Sequence, residues 1–152
     1  LFLHIDSGIP TGDVTTFMQL MIPLEKTDKL KGCTVIIPKS HKSKKFADRN
    51  NKNYQLIEGD QGDVFIWDGN IWHGSLPNKK KDTRWALIAT FSNWQFKQCF
   101  DIPKSIGQKI YSKLTVKEKI LLGYLAIPSN SEFKRVTRSM PVKDLKKKVS
   151  DY

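Results

Sequence analysis

The first hundred residues of this chain consist of short apolar and β-branched segments separated by turn residues. Segments of this length, bounded by Gly, Pro, Asn and Asp, are typical of antiparallel strands. The pattern therefore predicts an all-β core that folds as a sandwich or a jelly roll. The predicted strands are residues 2–5, 15–24, 33–37, 63–67, 71–73 and 84–91.

The periodicity changes near residue 98, where helical spacing replaces strand alternation. One helical face is predicted near residues 106–114, and a second helix begins at Thr115, with Glu118 placed to complete a capping box. Three regions follow from this pattern. They are a β core at residues 1–98, helices packed on that core at 99–127, and a basic tail at 128–152.

The net charge of +11 is uneven, since residues 101–152 carry twelve Lys and Arg against five Asp and Glu. Such a tail could bind nucleic acid or an anionic surface. We favour a solvated chain end, because Lys lacks the bidentate fork with which Arg recognises phosphate. No apolar run has membrane-spanning length and no secretory signal precedes the core, which predicts a cytoplasmic protein. Cys33 and Cys99 are then expected to be reduced thiols.

The segment His4-Ile5-Asp6 places an imidazole and a carboxylate on one face of a strand, because residues two apart in a strand point the same way. His73 follows a later strand and a tight turn, and in a closed two-sheet roll it can return opposite the first pair. Two histidines and one carboxylate on one face of a metal favour non-haem Fe(II). The remaining positions would accept a co-substrate and dioxygen.

Arg84 stands at the head of the last predicted strand, where a buried guanidinium needs an anionic partner. It could bind a carboxylate through two hydrogen bonds, and Ser75 could add a hydroxyl to the same group. The alternative is an ion pair between Arg84 and Asp82. The remaining histidine, His41, is interpreted as a hydrogen-bonded structural residue, because a fourth protein ligand would block an oxygen position.

Three ordered segments together resemble the phytanoyl-CoA dioxygenase family. They are His4-Ile5-Asp6, the Gly-x-x-x-x-Ile-Pro-x-Ser-His pattern of residues 32–41, and Gly-Asp-Val-Phe-Ile-Trp-Asp-Gly-Asn-Ile-Trp-His-Gly-Ser-Leu-Pro-Asn at residues 62–78, followed by Arg84. The resemblance extends over about residues 1–125.

This resemblance implies a cupin-like double-stranded β-helix that uses Fe(II), 2-oxoglutarate and dioxygen, with ascorbate as an additional candidate cofactor. It implies His4, Asp6 and His73 as the iron ligands and catalytic centre. Arg84 and Ser75 would clamp the distal carboxylate of 2-oxoglutarate, and Gln19 would lie near this co-substrate. The implied reaction hydroxylates a small organic substrate and releases succinate and carbon dioxide.

Two other functions remain open from the sequence. One is a cupin-like metal or small-molecule binding protein without oxygenase activity, and the other is a nucleic-acid demethylase, suggested by the positive charge. The family places a helical region and a first barrel strand before its His-x-Asp segment, whereas three residues precede His4 here. We therefore expect an exposed sheet edge through which copies of the chain could pair.

Overall fold

The computed structural model describes residues 1–93 and 96–124 of the 152-residue chain. The predicted basic tail at 128–152 lies outside the described residues. The chain divides into two compact units after Ser92, and each is described by itself. None of the described helices is long and apolar enough to cross a membrane.

The first unit contains two antiparallel three-stranded sheets. The strands are β1 (Phe17–Pro23), β2 (Thr34–Ile36), β3 (Gln55–Ile57), β4 (Phe65–Asp68), β5 (His73–Ser75) and β6 (Ala86–Ser92). One sheet has the order β4-β1-β6 and the other the order β3-β2-β5. The predicted mainly β core is confirmed, and it is consistent with a sandwich.

Strand β1 shows why the first sheet forms where it does. Its side chains alternate between buried and less buried positions, so Gln19, Met21 and Pro23 share the inner face. Strand β6 pairs with β1 along its whole length, with Gln19 opposite Thr90 and Pro23 opposite Ala86. Both strands β4 and β6 lie at the edges of this sheet.

Strand β2 is the centre of the second sheet, and its neighbours supply the apolar core. Val35 is fully buried, and it packs with Leu3 and Ile37 against a second layer of partly buried side chains. That layer consists of Ala47, Tyr54, Leu56, Trp72 and Leu76. The core thus joins the N-terminal segment to β2, β3 and the turn before β5.

One predicted strand is not formed, and two elements of the structure were not predicted. Residues 2–5 form no continuous strand, and only His4 pairs with β5 through an isolated bridge. Strand β3 was not predicted, because its three residues follow a long polar loop and only pairing with β2 orders them. That loop also contains a 3-10 turn at Ser40–Ser43.

The second unit contains α1 (Ile102–Ser105), α2 (Gln108–Tyr111) and α3 (Val116–Leu121). The helix predicted near 106–114 is present but shorter, as α2, because Ile106 and Gly107 are extended, and α1 was not predicted. The predicted capping box is confirmed, since the Thr115 hydroxyl accepts from the Glu118 amide and the Glu118 carboxylate accepts from the Thr115 amide. This box determines where α3 begins.

Candidate metal centre

The pairing of His4 with His73 brings the two predicted imidazole ligands together. The backbone amide of His4 donates to the carbonyl of His73 over 2.9 Å, and the amide of His73 donates back over 3.0 Å. The two rings therefore lie side by side, with their centroids 4.3 Å apart. Because Leu3 points into the core of the second sheet, His4 points to the opposite face.

Asp6 completes the cluster from the same segment as His4. Its Oδ1 lies 3.5 Å from Nε2 of His4, and its Oδ2 lies 3.3 Å from Nε2 of His73. One donor atom from each of the three residues falls within 4.8 Å of the other two. Across residues 1–93 and 96–124, no other three His, Cys, Asp or Glu side chains approach in this way.

The hydrogen bonds around the imidazoles leave their Nε2 atoms available for a metal. Nδ1 of His73 lies 3.0 Å from the carbonyl oxygen of Ile71, and Nδ1 of His4 lies 3.4 Å from that of Phe2. A carbonyl only accepts, so Nδ1 of His73 carries the proton and its Nε2 presents a lone pair to Asp6. Several lone pairs facing one another are stabilised by a cation among them. The residues therefore fit a divalent metal of the Fe(II) class.

Burial strengthens this argument for His73, whose side chain is only 9% exposed, against 42% for His4 and 23% for Asp6. Desolvation lowers the pKa of His73, although its hydrogen bond to the Ile71 carbonyl and the charge of Asp6 act in the other direction. His73 is therefore neutral at physiological pH, which is the form that binds a metal.

The turn Asp68-Gly69-Asn70 holds the segment around Asp6 in place. The backbone amide of Asp6 donates to the Gly69 carbonyl over 2.9 Å. Asn70 is almost fully buried, and its Oδ1 accepts from the Ser7 hydroxyl at 2.9 Å and from the Thr11 amide at 3.1 Å. Sequence reasoning identified the turn but missed this supporting role. A buried asparagine has no sequence signature, because its partners lie far away in the chain.

Gln19 joins the cluster through Asp6. Its Nε2 donates to Oδ2 of Asp6 over 2.7 Å, and its Oε1 accepts from the Thr90 hydroxyl over 2.6 Å. The resemblance implied that Gln19 lies near the co-substrate, and the structure places it against a ligand of the candidate metal. Thr90 was not predicted at all, since a threonine in a strand is commonplace and only the β1–β6 register reveals its partner.

The structure does not join the predicted clamp residues to the cluster by any direct contact in the described part of the chain. Ser75 ends β5 and is exposed, and Arg84 is an exposed residue two positions before β6. The alternative ion pair with Asp82 is absent among the described residues, because Asp82 binds Lys31 over 2.9 Å. Arg84 lies close enough to the buried Cys33 for its charge to oppose the burial-driven rise in the pKa of that thiol.

Two further predictions can be compared with the structure. His41 lies in the 3-10 turn, and its Nδ1 is buried with no hydrogen-bond partner among the described residues. The prediction of a hydrogen-bonded His41 is therefore wrong for this atom. The neighbouring residue Ser40 instead connects this turn to the residue before His73, because its Oγ accepts from the Trp72 amide. Cys33 and Cys99 are both free thiols, as predicted.

Several known proteins are similar to this chain in sequence. Uncharacterised proteins of Mycobacterium bovis and Mycobacterium tuberculosis are each 23% identical over 109 residues, covering 70% of this chain and 40% of theirs. A protein named dioxygenase af480 from Aspergillus fumigatus is 25% identical over 155 residues, covering 91% of this chain and 48% of its own. The chain thus spans two fifths to about half the length of these curated relatives.

A solved structure is also similar to this chain. The crystal structure of EvdMO1 superposes with a TM-score of 0.52 at 26% identity, covering 61% of this chain and 23% of that one. The phytanoyl-CoA dioxygenase (PhyH) family profile matches residues 2–86, which is more than half of the 152 residues and includes all three candidate ligands. The chain therefore belongs to the phytanoyl-CoA dioxygenase family.

Proposed function

We propose that this chain carries the metal centre of an Fe(II)- and 2-oxoglutarate-dependent dioxygenase that hydroxylates a small organic substrate. The observation that carries the proposal is the convergence of His4, Asp6 and His73 within 4.8 Å. Family membership and the relative named as a dioxygenase support it. In this proposal the two sheets are the layers of a double-stranded β-helix.

Each residue has a defined task in the proposed reaction. His4, Asp6 and His73 would hold Fe(II) from one side and leave the other side for ligands. Bound iron, with 2-oxoglutarate and dioxygen, would supply the oxidising chemistry and yield succinate and carbon dioxide. Arg84 and Ser75 would bind the distal carboxylate of 2-oxoglutarate, with Arg84 donating two charge-assisted hydrogen bonds.

The central experiment is anaerobic addition of Fe(II) and 2-oxoglutarate, which together produce a visible charge-transfer band when the co-substrate chelates the iron. We expect the band in the wild-type chain and its loss in His73→Ala. His41→Ala is the matched control, because it removes the remaining histidine outside the cluster and should retain the band. A folded wild-type chain that binds the metal without a band would favour the cupin-like binding protein.

A titration with 2-oxoglutarate tests the role of Arg84. Loss of a charged hydrogen-bond partner should weaken 2-oxoglutarate binding in Arg84→Met by about ten- to a hundredfold, with metal affinity unchanged. Arg84→Lys retains the positive charge but not the two parallel N–H donors of the guanidinium. Its affinity for 2-oxoglutarate should lie between those of wild type and Arg84→Met. An unchanged titration in Arg84→Met would remove Arg84 from the site.

The nucleic-acid alternative predicts binding to oligonucleotides that weakens steeply with salt. Binding that is absent or insensitive to salt would eliminate it. The substrate itself is best sought by measuring succinate release over candidate small molecules, with a chain of the length of the relatives.

A further inference from the structure

Gln19 is a buried amide that is hydrogen-bonded at both ends. It lies on the inner face of β1, opposite Thr90 of β6. Its Nε2 donates to Oδ2 of Asp6 over 2.7 Å, and its Oε1 accepts from Oγ1 of Thr90 over 2.6 Å. One side chain therefore connects a candidate metal ligand to the edge strand of the first sheet.

The two partners determine which way the amide points. A carboxylate without a proton only accepts hydrogen bonds, so Gln19 must turn its NH₂ group toward Asp6. Its carbonyl oxygen then faces Thr90, whose hydroxyl must donate. Rotation of the amide by half a turn would set two oxygens against each other at the Asp6 end. The Asp6 carboxylate therefore selects the orientation, and the Thr90 hydroxyl stabilises it by donating to the oxygen at the other end of the amide.

This arrangement makes the two oxygens of Asp6 unequal. Oδ2 accepts the bond from Gln19 over 2.7 Å, whereas the polar contact of Oδ1 in the described part of the chain is a longer one, 3.5 Å, to Nε2 of His4. A carboxylate with one oxygen engaged in this way offers the other as a single ligand atom. Binding through both oxygens would occupy one more coordination position, which a chelating co-substrate and dioxygen require.

We propose that Gln19 and Thr90 are positioning residues that keep Asp6 a one-oxygen ligand of the metal, a role that rests on the proposed function of the site. Thr90 orients the Gln19 amide through one hydrogen bond, and Gln19 orients the Asp6 carboxylate through another. Residues that orient a metal ligand in this manner commonly change metal affinity by about 10- to 100-fold when they are replaced.

Cobalt(II) is a suitable probe, because its visible absorption reports both binding and coordination. We expect Gln19→Leu to weaken Co(II) binding about 10- to 100-fold and to change the shape of the absorption envelope. Thr90→Val should shift both readouts in the same direction by about three- to tenfold in affinity, since it removes one hydrogen bond to the amide. Thr90→Ser retains the hydroxyl and should behave as wild type.

The matched control is Thr16→Val, because it makes the same change of side chain at a hydroxyl that has no hydrogen-bond partner among the described residues. It should leave affinity and spectrum unchanged. If Gln19→Leu fails to fold, as loss of its circular dichroism would show, Thr90→Val tests the positioning role instead. Because Thr90 is exposed, this substitution should not unfold the chain.

The outcomes separate this proposal from the function on which it rests. A folded wild-type chain that binds no Co(II) would overturn the metal site itself. Wild-type affinity and spectrum in both Gln19→Leu and Thr90→Val would overturn the positioning role and leave the metal site standing. Equal losses in Thr90→Ser and Thr90→Val would show that the hydroxyl is not what holds Gln19.

Discussion

The two sheets of the first unit bury their apolar side chains to very different extents. In the sheet β3-β2-β5, Val35 is fully buried, and Leu3, which packs with it from the N-terminal segment, is 1% exposed. In the sheet β4-β1-β6, large apolar side chains remain open to solvent, and Leu87 is 54% exposed. Burial of apolar surface is the main source of folding free energy. The sheet around β2 therefore contributes more stability for each apolar residue.

This difference bears on the candidate site. His73 belongs to the well-packed sheet, and two backbone hydrogen bonds join His4 to it through an isolated bridge. Gln19 and Thr90 come from the more open sheet, and so does the region of Arg84. Two of the three candidate ligands thus lie on the better-packed sheet, while the residues proposed to position Asp6 and to bind co-substrate come from the sheet with more exposed apolar side chains.

The largest expected effect comes from a matched pair of leucines. Leu3→Ala should lower the free energy of unfolding by about 2–5 kcal/mol, because it leaves a cavity in the core around Val35. Leu87→Ala should cost less than about 1 kcal/mol, because its side chain is already exposed. Urea unfolding monitored by circular dichroism measures both. Equal losses would remove the contrast between the sheets.

A smaller effect is expected at Gly74, the point of closest approach between β5 and the N-terminal segment. A Cβ at this position would lie 2.6 Å from the carbonyl oxygen of Phe2. Gly74→Ala should therefore displace the segment carrying His4, lower stability by about 1–3 kcal/mol, and weaken Co(II) binding. Thermal unfolding and metal titration measure the two effects.

Ser75→Ala provides the control for Gly74, since Ser75 is the next residue of β5 and is exposed. Without 2-oxoglutarate it should change neither stability nor Co(II) affinity. If Gly74→Ala behaved in the same way, the close packing of the His4 segment on β5 would not be what holds the first ligand.

The smallest effect concerns the ionic cluster at the connections between the sheets. Lys31 binds Glu25 over 2.6 Å and Asp82 over 2.9 Å. The hydrogen bonds from the Lys31 ammonium are the largest cause of the lowered pKa of both carboxyls. A carboxyl whose pKa is lowered by folding stabilises the fold at pH values above its pKa in the unfolded chain. That unfolded pKa is 4.5 for Glu25 and 3.8 for Asp82. That contribution is lost as the pH falls through the folded pKa.

Lys31→Met should therefore reduce the difference in urea midpoint between pH 7 and pH 3. Lys26→Met is the matched control, because Lys26 and Asp60 form a longer and highly exposed pair at 3.8 Å. It should leave the pH dependence nearly as in wild type. Identical behaviour of the two variants would mean that the Lys31 cluster adds no pH-dependent stability where the sheets connect.

Much of the β structure was predictable because it depends on local patterns. Strands β1, β2, β4 and β6 follow from runs of apolar and β-branched residues, and the capping box at Thr115 follows from a four-residue motif. Strand β3 was missed, since its three residues are ordered by pairing with β2. Helix α1 and the late start of α2 were missed, because apolar spacing alone does not reveal that Ile106 and Gly107 are extended.

The sequence by itself determined the chemical types of the candidate ligands and the closeness of His4 to Asp6, because the two residues are only two positions apart in the chain. Only the tertiary structure decided that His73 lies beside them and that Gln19 links Asp6 to Thr90. Gln19 and Thr90 are 71 residues apart in the chain. Contacts over such distances depend on which strands pair and in which register, and both are determined by burial of the whole fold rather than by neighbours in sequence.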